Sequence, residues 1–392
     1  MKAAKEQRTL LLITPFDLWP LWQGTVVRTF HLITHFAAHH TLWLGARRGK
    51  GALPVDYPVP ERRILLNHPQ RFAQLFHPRF FLRLLRLARQ ERIDTLIVSQ
   101  ITGGIHGLLL HWLTGARLIF DNHNVEYLRF RRMGSKTWPA VWLLEGLLCR
   151  EAAEIYVVSE VDRDWLARHF RLPVERFRLL PNGADIQAMQ ALPVAREGVR
   201  KGLGLPTDRP LALFFGARSH RPNAQAVRII LDEIAPRLAE IAPDVAIVIA
   251  GRPDDGERLS VGQLGNVYIT GFVEEIGALI KSCDLSIVPL VSGSGTRLKI
   301  LESVASGVPV VSTSIGAEGL DQELLGDMLL VVDGWEPFVR AVAARAAGRE
   351  GRALSQAAID RYDWARIFEG VELPGCVVRA SPQPFPRSQR SC

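Results

Sequence analysis

The sequence predicts an α/β protein made of two doubly wound domains, each a parallel sheet with helices on both faces. Three observations predict it. Apolar runs of strand length alternate with segments of helical period from Leu10 to Val332, the pattern that builds parallel sheets from strand–helix–strand units. The alternation breaks once, at Leu180-Pro181-Asn182-Gly183-Ala184-Asp185 and the Pro-, Gly- and charge-rich stretch running on to Arg209, and then starts again. The chain has 392 residues, room for two or three domains of about 150 residues.

The first expected strand is Leu10–Ile13. Its apolar run is too short for a signal peptide and no cleavage site follows. A turn rich in Pro, Trp and Gly leads through Gly24 to a helix over Thr25–His40. Strands are expected at Thr41–Leu44, Thr95–Ser99, Leu118–Phe120 and Ile155–Val158. These make a first domain of residues 1–182, followed by a linker, 183–208. Strands at Leu211–Phe215, Val245–Ala250, Val267–Thr270, Leu285–Val288, Val308–Ser312 and Leu329–Val332 make a second domain, 209–370. The tail, 371–392, is Ser-, Pro- and Arg-rich from Ala380 and is expected to be disordered. Two doubly wound domains put the expected ligand site in the cleft between them, at the carboxyl ends of the strands.

Composition narrows the function. At 47% apolar and 22% charged, the chain is ordinary for a globular protein with large cores. The longest apolar stretch, Ile101–Phe120, contains His106, His111 and Arg117, so no transmembrane span is expected. Cys149, Cys283, Cys376 and Cys392 are far apart, which argues against a disulfide framework or zinc site and for a cytoplasmic protein. The net charge of +8 suits nucleic acid, an anionic membrane or phosphorylated small molecules. The cations are spread along the chain without an aromatic–basic motif, so no nucleic-acid partner is expected.

The most informative stretch runs from Gly293 to Ser312: a glycine turn, a helix, then a Gly-x-Pro turn into a strand. With Thr296 as N-cap, Arg297 and Lys299 fall in the first helical turn, the wrong end for cations in the helix dipole. An anion docked on the exposed N–H groups between them would remove the conflict. Glu302, three residues after Lys299, projects from the same side, while Leu298, Leu301, Val304 and Ala305 form the buried stripe. Gly216 and Arg218 close the strand Leu211–Phe215, where backbone approach and a guanidinium suit a phosphate. Phe272 and Val273 follow another strand and offer a ring face and backbone groups for a nucleobase. Each feature also has an ordinary structural reading: a capped core helix with solvated cations, a strand-end glycine, a buried Phe.

Several motifs in order carry a resemblance. Gly271-Phe272-Val273, Cys283 to Pro289, Gly293 to Glu302, Gly307-Val308-Pro309-Val310-Val311 and Gly316-Ala317-Glu318-Gly319 resemble the donor domain of family 4 glycosyltransferases. Pro181 to Asp185, Gly216 to Asn223 and Asp121-Asn122-His123-Asn124-Val125-Glu126 resemble segments of the same family. The resemblance spans residues 10–368 and is stronger in the second half. It implies the GT-B architecture, two Rossmann-like domains facing across a cleft, and retaining transfer from a nucleotide-diphosphate sugar. It further implies that Glu302 binds the donor ribose, that Arg218, Arg297 and Lys299 face the diphosphate, and that Gly295 and Thr296 offer backbone donors to it. Phe272 and Val273 would hold the base, and Gly24 matches part of the glycine loop after the first strand. His123 matches a histidine near the donor sugar and joins Arg218 and Lys299 as an expected catalytic residue. Ser294 departs from the pattern, standing where the Glu-x7-Glu motif has its first glutamate. The region after Trp364 lacks a long closing helix.

The expectation is thus a sugar transferase acting on a glycan or lipid-linked acceptor in cell-surface polysaccharide or glycolipid synthesis, with no metal required, since basic residues and a helix N-terminus stabilise the leaving group. Asp162-Arg163-Asp164 lies inside a helical pattern, away from any strand end, and is not expected to bind metal. His31, His35 and His39 recur on one helix and are expected to edge its core stripe. Arg79–Arg92 forms a basic amphipathic segment, a candidate contact with an anionic membrane beside the plainer reading of a helix packed on the sheet. A nucleotide-sugar epimerase and a catalytically silent binding subunit are the rival functions.

Overall fold

The structure, a computed structural model, describes residues 8–19, 21, 24–47, 63–66, 76–252, 261–293, 295–346, 348 and 353–373. Ser294 and the expected disordered tail beyond residue 373 lie outside the described residues.

The first sheet is built from β1 (Thr9–Asp17), β2 (Thr41–Arg47), β3 (Arg63–Leu66), β4 (Thr95–Ser99), β5 (Arg117–Asn122), β6 (Glu154–Val157) and β7 (Phe177–Leu179). All its strands pair in parallel, in the order β3-β2-β1-β4-β5-β6-β7. The second contains β8 (Leu211–Phe215), β9 (Ala246–Ala250), β10 (Gly262–Leu264), β11 (Val267–Gly271), β12 (Leu285–Val288), β13 (Val310–Ser312) and β14 (Leu329–Val331). Its order is β10-β11-β9-β8-β12-β13-β14, parallel except for the antiparallel edge β10. Without that edge, both sheets have the Rossmann order, reversing direction between β1 and β4 and between β8 and β12. A crevice opens at each reversal, outside the carboxyl ends of the strands.

The central strands are buried on both faces, which explains their unbroken apolar runs. Leu11, Ile13, Leu96 and Val98 face one core, while Leu10, Leu12 and Ile97 face the other. In the second domain Phe214, Ile247 and Ile287 face one core, and Leu213, Phe215 and Val248 the other. The three strands missing from the sequence prediction are β3, β7 and β10. Each is a short edge strand, and β10 is fully exposed, so no hydrophobic pattern announces it.

The second domain, expected to end at residue 370, gives up its last turns to the first. Short helices Gln356–Tyr362 and Trp364–Ile367 carry the chain back, and Trp364, Ile367, Phe368 and Val371 join the first domain's core. They dock on the helix Gly24–His39. His31 stacks on Trp364 at 4.5 Å between ring centroids, and His35 stacks on Phe368 at 5.3 Å. Burial lowers the His31 pKa to about 4. The histidine row therefore grips the returning segment, and no cluster of three metal-binding side chains forms among the described residues. The crossing is made by two short helices and aromatic stacking.

Candidate functional site

The second domain's part of the site starts at the end of β8. Gly216 has φ +145°, and a Cβ there would lie 3.0 Å from Lys299 Nζ and 2.7 Å from Asn223 Nδ2. Glycine is thus what lets Lys299 reach this strand end. Lys299 Nζ donates to Asn223 Oδ1 at 2.9 Å and lies 4.3 Å from the centroid of the Phe214 ring. Asn223 Nδ2 in turn donates to the Ala217 carbonyl at 2.9 Å. Arg218 is buried at the same strand end.

The helix following β12 is Leu298–Ala305, and its N-cap is Arg297, not Thr296. Thr296 Oγ1 instead accepts a 2.6 Å hydrogen bond across the cleft from Asn182 Nδ2 of the first domain. The N-cap side chain makes no capping hydrogen bond, and among the described residues no other side chain supplies one, which leaves the first N–H groups without a cap at the crevice. The buried stripe shifts with it: Ile300, Leu301, Val304 and Ala305 are buried, and Leu298 turns toward the first domain, where a Cβ on Gly24 would meet it at 3.0 Å. Arg297 Nη1 donates to the Gly295 carbonyl at 2.8 Å.

Electrostatically this is a site under tension. Burial, with Arg297 beside it, lowers the Lys299 pKa to about 7 against the opposing pull of Glu302. Burial raises the Glu302 pKa to about 7, against Lys299 and reinforced by Asp185. Among the described residues no protein group donates a hydrogen bond to the Glu302 carboxylate. Both groups sit where a ligand of opposite charge, or one bearing hydroxyls, would satisfy them.

The first domain faces this crevice with a buried polar network. Arg28 Nη2 donates to Asp121 Oδ1 at 2.7 Å, and its Nη1 donates to the Leu180 carbonyl at 2.8 Å. Asp121 Oδ2 accepts from His123 Nε2 at 2.6 Å. Burial pushes the Asp121 carboxyl up, but the charges and hydrogen bonds of Arg28 and His123 together hold it well below the usual carboxylate range. On the ring's other side, Gln100 Nε2 lies 3.3 Å from His123 Nδ1. Across the cleft, Gly295 has φ +79° and a Cβ there would lie 1.9 Å from Asn124 Oδ1. Arg132 Nη1 pairs with Glu318 Oε1 at 3.0 Å, a second link between the domains.

Residues 22–188 match the model for Glycosyltransferase Family 4, and residues 209–346 match that for Glycosyl transferases group 1. The chain belongs to the family 4 glycosyltransferases. A phosphatidyl-myo-inositol mannosyltransferase of Mycobacterium leprae is 26% identical over 225 residues, covering 52% of this chain and 56% of that protein. The chain spans about half the length of the curated relatives it matches. Among solved structures, sucrose-phosphate synthase from Thermosynechococcus elongatus superposes with a TM-score of 0.72 at 18% identity, over 92% of this chain and 96% of that one. Anabaena HepE in complex with UDP and glucose superposes with a TM-score of 0.70 at 17% identity, over 93% and 98%. The fold is GT-B.

In this family 4 member, Gly216, Arg218, Gly295, Thr296, Arg297, Lys299 and Glu302 gather around the β8/β12 crevice. His123 and Gly24 come to it from the first domain. Phe272 is 46% exposed at the end of β11, with the Arg252 guanidinium 5.5 Å from its ring centroid, and Val273 packs on the core beneath. Asp162 lies in the first turn of the helix Glu160–Phe170, which Ser159 caps, and Asp164 pairs with Arg163. The helix Pro78–Gln90 packs Phe80, Leu84, Leu87 and Ala88 inward and exposes Arg79, Arg83 and Arg86.

Sequence reasoning missed Arg28, Asp121 and Asn223 as parts of the site. Arg28 was detectable, as an arginine on a helix face otherwise made of Val26, Thr29, Leu32, Ile33 and Phe36. Asn223 carries no such signal, because its partner Lys299 is 76 residues away.

Proposed function

We propose that the chain transfers a sugar, with retention, from a nucleotide-diphosphate sugar to a glycan or lipid-linked acceptor. One observation carries this reading: Lys299, Arg297 and an uncapped helix N-terminus meet Glu302 in the crevice at the β8/β12 reversal. The cations and N–H groups take the diphosphate, whose developing charge they stabilise on departure. Glu302 accepts two ribose hydroxyls, which suits a carboxylate that has no protein donor among the described residues. Phe272 and Val273 flank the base. Arg218 reinforces the phosphate side, and His123 lines the sugar from the first domain, its proton held toward Asp121. Ser294 stands where a sugar-contacting glutamate would be, which leaves sugar recognition to other groups of the cleft. No metal is needed for such a leaving group. The comparison proteins support the class: one is a phosphatidyl-myo-inositol mannosyltransferase, and another is a structure in complex with UDP and glucose. No described helix is long and apolar enough to cross a membrane. In this reading a lipid-linked acceptor is met at a cytoplasmic membrane face, with Arg79, Arg83 and Arg86 toward anionic headgroups.

The test is a thermal-shift panel of nucleotide diphosphates and nucleotide sugars, followed by transfer assays with the hits. A donor at 100 times its Kd stabilises the protein by about 2.7 kcal/mol. A flat panel across all bases and sugars defeats the proposal, and epimer formation from donor alone redirects it. Glu302→Gln is expected to weaken donor binding about 10- to 100-fold, the range for a hydrogen-bonded charged group. Calorimetry with the nucleoside diphosphate checks this, and equal affinity in the variant removes Glu302 from the ribose site.

A further inference from the structure

The helix Trp138–Glu151 carries a buried carboxyl that the proposed chemistry leaves unused. Glu145 is fully buried. Its Oε1 accepts from the Glu126 backbone N–H at 2.9 Å and from Asn122 Nδ2 at 3.2 Å, and its Oε2 accepts from the Tyr127 N–H at 3.0 Å. These donors bracket the segment 122–127, which runs from the end of β5 into the helix Glu126–Arg132. That helix gets no side-chain hydrogen bond from its own N-cap, Val125. Glu145 does the capping from a neighbouring helix.

The bracketed residues include two that face the cleft. His123 is held at one end by Asp121 and Gln100. Asn124 lies so close to Gly295 of the second domain that no side chain fits between them. The segment is thus fixed on one side by the Arg28–Asp121–His123 network and on the other by Glu145. Residue choice here is restrictive. Two backbone N–H groups and an amide need two acceptor oxygens, which a carboxyl group has and a glutamine lacks. Burial raises the Glu145 pKa to about 8 against these three donors, so the group sits there at a cost, and what it holds in place is the segment that faces the cleft.

We infer that Glu145 is a positioning residue for the transfer step, fixing His123 and Asn124 against the donor-domain loop at Gly295. The inference rests on the transferase reading. Its test uses the full chain and the variant Glu145→Gln, which sets an NH2 group against the Tyr127 N–H. With folding checked by circular dichroism, kcat is expected to fall about 10- to 100-fold, the effect of misplacing a reacting geometry by about 1 Å. The Kd for the nucleoside diphosphate should stay within about twofold, because the second domain holds that site. Amide exchange should accelerate at 122–127 and not across the second domain. An unchanged kcat overturns the inference, and so does a parallel loss of kcat and donor affinity with exchange faster throughout. If the wild-type chain transfers nothing, the transferase reading fails separately, and unaltered exchange at 122–127 in the variant still overturns the positioning role. Should Glu145→Gln not fold, Asn122→Ala removes one of the three bonds. It should lower kcat several-fold, and wild-type kcat there overturns the inference.

Discussion

Lys299→Ala is expected to lower the transfer rate about 10²–10³-fold while leaving the fold intact, the loss typical of deleting one preorganised group that meets developing charge. The fold survives for physical reasons. Alanine is the best helix former, and the deleted ammonium is itself destabilised by burial, its pKa lowered to about 7. Unchanged turnover in a folded variant removes Lys299 from the mechanism. A second measurement isolates the charge. At pH 8 a Lys299 with its pKa near 7 is largely neutral, and a diphosphate bound against it is expected to restore the ammonium. Donor binding should then take up as much as one proton at pH 8, visible as a dependence of calorimetric enthalpy on buffer, and Lys299→Ala should abolish that uptake. The same linkage shapes stability without ligand. Lys299, with its folded pKa lowered, adds stability as pH rises from about 7 toward its ordinary value, while Glu302, raised to about 7, loses stability as pH rises from its ordinary value to about 7. Their joint contribution is lowest near pH 7.

Arg28→Met is expected to destabilise the first domain by about 3–5 kcal/mol, because it leaves the Asp121 carboxylate buried and uncompensated. For a domain of this size that is a fall of about 6–20 °C in melting temperature. Arg28 and Asp121 are both fully buried, and Arg28 also donates to the carbonyls of Leu180 and Pro181, tying the first helix to the start of the linker. Adding Asp121→Asn to Arg28→Met removes the stranded charge and should recover part of the melting temperature. It should not recover activity, since His123 then loses its anionic partner at 2.6 Å. A melting temperature within 2 °C of wild type for Arg28→Met, by scanning calorimetry, rules out the buried pair as a structural hinge point.

Much of this protein was legible in one dimension. The alternation of buried strands with helices predicted both sheets, because strands covered on two faces must be continuously apolar, and β4, β8 and β12 fall on the predicted residues. The misplaced cations Arg297 and Lys299 drew attention to the helix that starts at the β8/β12 crevice, because a charge at the wrong helix end is a local conflict visible from spacing alone. Tertiary structure decided what depends on distant partners. Thr296 reads as an N-cap in the sequence, whereas in the fold its hydroxyl accepts a hydrogen bond from Asn182, 114 residues away. Asn223 and Glu145 look unremarkable until folding places Lys299 and three donors of the segment 122–127 against them. The return of Trp364 and Phe368 to His31 and His35 is likewise a contact between chain ends. Periodicity encodes which face of an element is buried, whereas the partner of a polar group is set by the packing of elements remote in sequence, and the site is made of such pairs.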